Sequence, residues 1–176
     1  MSDYSYITEA LYSGETVRGM SLKPESIPCF LTTAFTMRGF KEVQETYATK
    51  GYTYVRTRNP NRTALGEVIS CLEGGEASLV FASGMGAITS TLMTLLNPGD
   101  HVICNANIYG ETFEVMTEIL PKCGVEVTFV DYQNTDDIAK AVRPQTKLIY
   151  SEVLSNPTLT LVDLEAVAKI AHDNGA

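Results

Sequence analysis

The stretch "EASLVFASGMGAITSTLMTLLNPGDHVICNANIYGET", residues 76–112, decides the fold. Leu79-Val80-Phe81 is a short apolar run that ends in the small turn Ala82-Ser83-Gly84. The chain then enters a helical pattern from about Met85 to Leu96, stopped by Asn97-Pro98-Gly99. His101 to Cys104 reads as another short strand. Strand, tight turn, helix and strand in this order form the repeating unit of a parallel α/β sheet. A turn of small residues leaves the first N–H groups of the helix open, and the helix dipole adds partial positive charge there, so a phosphate is stabilised. The glycines Gly84 and Gly86 let a ligand approach the backbone without a Cβ in the way. Taken alone, the turn does not separate a phosphate site from an ordinary β–α connection. The G-x-G-x-x-G spacing of a dinucleotide fingerprint is absent.

The same alternation continues outward. Thr63 to Leu72 carries apolar residues at helical spacing and is closed by Gly74-Gly75, and Ser78 to Ala82 reads as a strand. Beyond the opening stretch, Thr112 to Leu120 is predicted helical, with Cys123-Gly124 as its stop. Strands are expected at Val125 to Val130 and Leu148 to Val153, and a short helix at Asp136 to Ala141. Asp163 caps a last helix running to about Asp173. The pattern predicts an α/β fold, a mostly parallel sheet with helices on both faces. Residues 1–58 lack a clean period and are expected to form an irregular N-terminal arm that packs on something else, such as another subunit. Gly175 after the last helix is a C-cap signal that leads one to expect a further strand, so the architecture reads as unfinished at Ala176.

At 176 residues, 44% apolar and 19% charged, the chain has the composition of a soluble globular domain or part of a larger one. A net charge of −8 with no Lys/Arg run argues against a nucleic-acid partner. No apolar stretch approaches the ~20 residues of a membrane-spanning helix. The first residues lack the basic and apolar regions of a secretory signal, and a cytoplasmic location is the default expectation. The cysteines Cys29, Cys71, Cys104 and Cys123 have no C-x-x-C spacing, and His101 and His172 lie far apart. This pattern argues against zinc and for buried or half-buried free thiols.

Four further features could carry chemistry. Tyr54 and Arg56, two residues apart, point the same way if that piece is extended, and can donate to one phosphate. The alternative is a solvated polar edge. Tyr109 lies just beyond a strand's C-terminal end, where ligands bind in parallel sheets, and could cover a flat ring. A loop tyrosine packing on its neighbours has the same signature. Glu152 and Asn156 also follow a strand, although Asn before Pro157 is a common turn device.

The ordered set is more specific than its parts. Tyr-x-Arg, Asn-Pro, Leu-Glu-Gly-Gly-Glu, Ala-Ser-Gly-Met, Pro-Gly-Asp, Tyr-Gly and Ser-Asn-Pro occur in this order from about residue 50 to 176. The set resembles the Cys/Met-metabolism family of pyridoxal-phosphate enzymes, which includes methionine γ-lyase, cystathionine γ-synthase, the cystathionine lyases and O-acetylhomoserine sulfhydrylase. The resemblance implies the N-terminal half of a fold-type I transferase domain. Residues 1–58 would be an arm exchanged between subunits, and residues 59–176 the first part of the large cofactor-binding domain.

It also implies roles. Ser83, Gly84 and Met85 would hold the phosphate of pyridoxal 5′-phosphate. Tyr54 and Arg56 would reach the phosphate of a neighbouring subunit. Tyr109 would stack on the pyridine ring and handle protons, and Asn156 would lie near the ring's phenolic oxygen. Glu111 stands where relatives often carry Gly or Cys, near the substrate, and Glu152 lines the same pocket. The family's aspartate for the ring nitrogen, its Schiff-base lysine and its carboxylate-binding arginine fall past Ala176. Lys140, Lys147 and Lys169 lack the family's Ser-x-Thr-Lys context. The expected partners are therefore a small amino-acid substrate, a complementary C-terminal half and further copies of the chain in a dimer or tetramer. The expected chemistry is elimination or replacement at the β- or γ-carbon of a sulfur-containing amino acid. The alternative is a catalytically inactive phosphate-binding or oligomerisation module.

Overall fold

The structure, a computed structural model, describes residues 5–8 and 24–176. The remainder of the expected arm, residues 1–4 and 9–23, lies outside the described residues. The chain divides into two compact units, residues 1–81 and 82–176.

The first unit contains helices α1 (Phe40–Ala48) and α2 (Pro60–Glu73). Helix α1 lies within the arm and was not singled out in the sequence. Phe40, Val43 and Tyr47 follow helical spacing, but polar residues dilute the pattern and none of its residues is buried. Helix α2 begins three residues before its apolar period. The Asn59 side chain accepts from the Asn61 and Arg62 amides as N-cap, and Pro60 occupies the first turn, where its missing N–H costs nothing. Gly74 closes the helix in the left-handed region at φ 64°. Asn61 also ties the arm down: its Oδ1 accepts from Phe30 N at 2.8 Å and its Nδ2 donates to Pro28 O at 2.7 Å.

Ser78 to Ala82, expected as a strand, form no ladder. A strand exists only where another backbone pairs with it, and none of the described strands does. Residue 78 lies against α2 instead: a Cβ on Gly66 would stand 3.0 Å from the Ser78 carbonyl oxygen, and Ser70 Oγ and Ser78 Oγ are 2.8 Å apart. Leu79 is 85% exposed. The thiols also depart from expectation. Cys104 is buried and Cys123 half-buried, but Cys29 and Cys71 are exposed. Cys71 lies in the last turn of α2, beyond its buried residues Pro60, Ala64 and Gly66.

The second unit opens with α3 (Gly84–Leu95) and carries the sheet: β1 (His101–Asn105), β2 (Glu126–Val130) and β3 (Thr146–Tyr150), all parallel in the order β2-β1-β3. Between β1 and β2 runs α4 (Gly110–Glu114), which continues as a widened π turn over Val115–Ile119 and a 3-10 turn over Pro121–Cys123. Leu120 N reaches back five residues to Val115 O, and Pro121 has no N–H to extend the ladder. Helices α5 (Thr135–Ala141) and α6 (Leu164–Asp173) complete the unit.

Side chains of β1 alternate between two buried clusters, as a strand's period of two requires. Val102 and Cys104 pack with Leu92, Leu96, Met116 and Leu120 from α3 and the α4 segment. Ile103 packs with Ile138 and Val167 from α5 and α6. All five residues of β1 are buried, the condition of a central strand covered on both faces. The expected α/β fold is present.

The strands start level. His101 pairs with Glu126 on one side and Thr146 on the other. Their C-terminal ends therefore share one edge, and the loops after β1 and β3 leave it side by side. At the opposite end the buried His101 ring is held by Thr146 Oγ1 and Thr128 Oγ1, each at 2.8 Å. It is a satisfied core histidine.

Candidate cofactor site

The site is built at the C-terminal edge of the sheet in the second unit. Ser83 is extended, and its hydroxyl oxygen accepts from Gly86 N at 3.0 Å as the N-cap of α3. The amides of Gly84 and Met85 are left for an anion. The first turn of α3 carries no acidic residue, and among the described residues no atom beyond the chain neighbours and the helix's own backbone comes within 4 Å of a Cβ built on Gly84. The turn is open and exposed, with no acidic residue of its own and with the hydroxyl hydrogen of Ser83 still available to donate. It fits a phosphate monoester.

Glu152, two residues beyond β3, links the two loops. Its Oε1 accepts from Tyr109 N at 2.9 Å and its Oε2 from Asn156 N at 3.3 Å. Glu111 follows Tyr109 by two residues in the first turn of α4. The hydrogen-bonding pull of the Glu111 carboxylate, then its charge and slight desolvation, pushes the Tyr109 phenol above its ordinary range. Thr112, one residue further, is fully buried and donates to Met85 Sδ at 3.7 Å. A continuous set of contacts thus runs from Met85 through Thr112 and the start of α4 to Tyr109, Glu152 and Asn156.

Two of these supports were missed in the sequence. Thr112 reads there as an ordinary helical residue. Asn105, 3% exposed at the end of β1, donates to Ser151 Oγ at 3.1 Å and accepts from Asn107 N at 3.1 Å, so it sets the loop leading to Tyr109. Its signal was an asparagine followed by a short polar loop, a recognisable turn device. Cys104 lies beneath the site, and its thiol is pushed up to about 12 by burial and, secondarily, by the Glu152 charge, so it stays protonated.

Tyr54 and Arg56 belong to the first unit. Tyr54 forms an isolated antiparallel bridge with Ala34, and its carbonyl accepts from Thr57 N and Arg58 N, each at 3.0 Å. The piece is therefore a turn from Tyr54 onward, not an extended strand. The two side chains do point the same way: the Arg56 guanidinium carbon lies 5.0 Å from the centroid of the Tyr54 ring. Arg62, unremarked in the sequence, holds this turn by donating to Val55 O and Arg56 O. A groove of about 440 Å³ in the same unit is lined by residues between Thr57 and Val80, including Arg58, Arg62 and Ser70. It contains none of the candidate residues. Of the available amines, Lys140 and Lys169 are engaged with Asp137 and Asp173 on their own helices.

The sequence matches the family described as Cys/Met metabolism PLP-dependent enzyme over residues 8–176. The chain belongs to that family. It is similar to the L-methionine gamma-lyase of Fusobacterium nucleatum subsp. nucleatum, 43% identical over 151 residues covering 85% of this chain and 38% of that protein. It is also similar to the cystathionine gamma-lyase of Bacillus subtilis, 49% identical over 125 residues covering 71% of this chain and 33% of the relative. The crystal structure of metB from Corynebacterium glutamicum superposes with a TM-score of 0.86 at 31% identity, over 98% of this chain and 43% of that one. The chain thus spans well under half the length of these relatives and carries the α/β fold of their N-terminal part. The cofactor of this family is pyridoxal 5′-phosphate. The open turn at Ser83 fits its phosphate, and Tyr109 at the sheet edge offers a flat face for its ring.

Proposed function

We propose that the chain is the N-terminal, cofactor-holding part of a pyridoxal-phosphate-dependent enzyme of sulfur amino-acid metabolism. The enzyme catalyses β- or γ-elimination, or γ-replacement, in the manner of methionine γ-lyase, and a complementary C-terminal half completes it. The observation that carries this reading is the set of contacts running from Met85 through Thr112 to Tyr109, Glu152 and Asn156, beside the open N-terminus of α3.

The amides of Gly84 and Met85 and the Ser83 hydroxyl hold the phosphate. Tyr109 covers the pyridine ring, and Asn156 donates toward the ring's phenolic oxygen. Tyr54 and Arg56, already side by side, reach the phosphate of a neighbouring subunit, so residues 1–58 serve as an exchanged arm in a cytoplasmic homo-oligomer, a dimer or tetramer. When bound, pyridoxal phosphate supplies the electron sink for charge developed at the substrate's α-carbon. Tyr109 presents its hydroxyl for proton handling beside the ring, and the neighbouring Glu111 carboxylate raises its pKa further above neutral. Glu111, where the family resemblance implies Gly or Cys in many relatives, places a negative charge near the substrate and bears on which substrate is taken.

The test is reconstitution. The chain is mixed with a separately expressed C-terminal half from a relative, and α-keto acid release is followed with methionine, cystathionine and O-acetylhomoserine. The mixture is expected to release keto acid and the chain alone none. No keto acid from any reconstituted mixture contradicts the proposal.

A further inference from the structure

Glu152 is the one acidic side chain of the site whose contacts are with backbone. Its two oxygens serve different loops: Oε1 takes the Tyr109 amide, four residues beyond β1, and Oε2 takes the Asn156 amide, six residues beyond β3. The loop beyond Glu152 is otherwise closed on itself. Ser155 is 1% exposed, its backbone N–H donates to Thr160 O at 3.0 Å, and its hydroxyl accepts from Thr160 N at 2.9 Å. The Tyr109 end has no cap of its own, because its side chain makes no capping bond to α4. Among the described residues the Glu152 carboxylate is the group that bonds to both the Tyr109 and the Asn156 amides. Bonds from amides to an ionised carboxylate are about twice as strong as neutral ones. With both oxygens so engaged, the carboxylate is poorly placed to act as a free pocket group.

We propose that Glu152 is a positioning residue, a carboxylate brace that fixes the spacing of Tyr109 and Asn156 by holding both backbone amides at once. The inference deepens the reading given under Proposed function and rests on it for what the two residues face. Brace and reading have separate tests. The brace sets the distance between a ring-covering tyrosine and an asparagine at the ring's edge. It therefore governs affinity for the ring of the cofactor and leaves the phosphate turn at Ser83 alone.

Two substitutions separate this role from charge and from general stability. Glu152→Gln keeps the size but offers one carbonyl oxygen and one NH2, and an NH2 cannot accept from an amide. Glu152→Asp keeps the charge but is one methylene short of spanning both amides. Hydrogen exchange is followed at Tyr109 and Asn156 in the intact chain. Affinity is measured for pyridoxine 5′-phosphate, which has no aldehyde and needs no lysine, and for inorganic phosphate. In both variants exchange at one or both amides is expected to speed up at least ~10-fold. Affinity for pyridoxine phosphate should fall by a similar factor, with inorganic phosphate bound as in wild type. Unchanged exchange at both amides overturns the brace, and so does an equal loss for both ligands, which marks a merely structural residue. Wild-type affinity for pyridoxine phosphate in both variants overturns it as well. If wild type binds neither ligand, the functional reading falls, and exchange at the two amides decides the brace on its own.

Discussion

Ser83 combines two roles that one pair of substitutions pulls apart. Its oxygen caps α3 through Gly86 N at 3.0 Å, and its hydroxyl hydrogen with the first free amides faces the place assigned to a phosphate. Ser83→Ala removes the cap, which costs about 1 kcal/mol of stability, or ~2–4 °C in Tm for a chain of this size. Ser83→Asp keeps the cap, since aspartate serves there as well as serine, but sets a negative charge against the ligand. Two unit charges ~4 Å apart repel by about 1 kcal/mol at the dielectric of water. Ser83 is exposed, so that value applies, and a phosphate dianion doubles it to about 2 kcal/mol. The dissociation constant for pyridoxine 5′-phosphate should therefore rise about 5- to 30-fold in Ser83→Asp with no loss of Tm. Ser83→Ala should melt earlier and lose less affinity. Calorimetric titration with pyridoxine phosphate and with inorganic phosphate, paired with thermal melts, reads both quantities. If Ser83→Asp binds within twofold of wild type, the phosphate does not sit on this turn.

Four other substitutions test separate parts of the account. Glu111→Gln removes the carboxylate that holds the Tyr109 proton, so the Tyr109 phenol should titrate at lower pH; difference absorbance against Tyr109→Phe isolates that one tyrosine, and an unmoved titration contradicts the coupling. His101 has its pKa lowered by burial first and by Arg143 second. The unfolded chain then takes up a proton near pH 6.5 that the folded chain refuses, so stability present above that pH is lost as pH falls below it. The urea midpoint should drop between pH 7.5 and 5.5 more steeply in wild type than in His101→Gln, and equal slopes refute the assignment. Leu120 is fully buried between α3 and the sheet, and Leu120→Ala should cost about 2–5 kcal/mol in urea unfolding. Met93→Ala, at a site 48% exposed, should stay within about 0.5 kcal/mol.

The alternation of strands and helices was legible because β1, α3 and α6 carry their periods and stops in adjacent residues. Helix α2 was read three residues short. Asn59-Pro60 looks like a turn when only apolar spacing is followed, yet the pair is an N-cap and a first-turn proline. Ser78 to Ala82 have a strand's composition, but a ladder needs a second backbone, and local sequence does not say where one stands. The turn at Ser83 was legible as a helix N-terminus. Its connection to Tyr109 was not, because it passes through Thr112 and Met85, 27 residues apart. The Glu152 bond to Tyr109 spans 43 residues, and no local spacing encodes it. Resemblance to the family named Met85, Tyr109 and Glu152 but not Thr112, and the structure supplies the contacts among them.

The central claim is that the Ser83 turn and the Tyr109–Glu152–Asn156 edge form one cofactor site. Amide resonances of the chain followed during titration with pyridoxal 5′-phosphate test it most directly. The account predicts that Ser83, Gly84, Met85, Tyr109 and Asn156 shift together and saturate with a single dissociation constant. Shifts confined to other surfaces, or two groups saturating at different concentrations, contradict it.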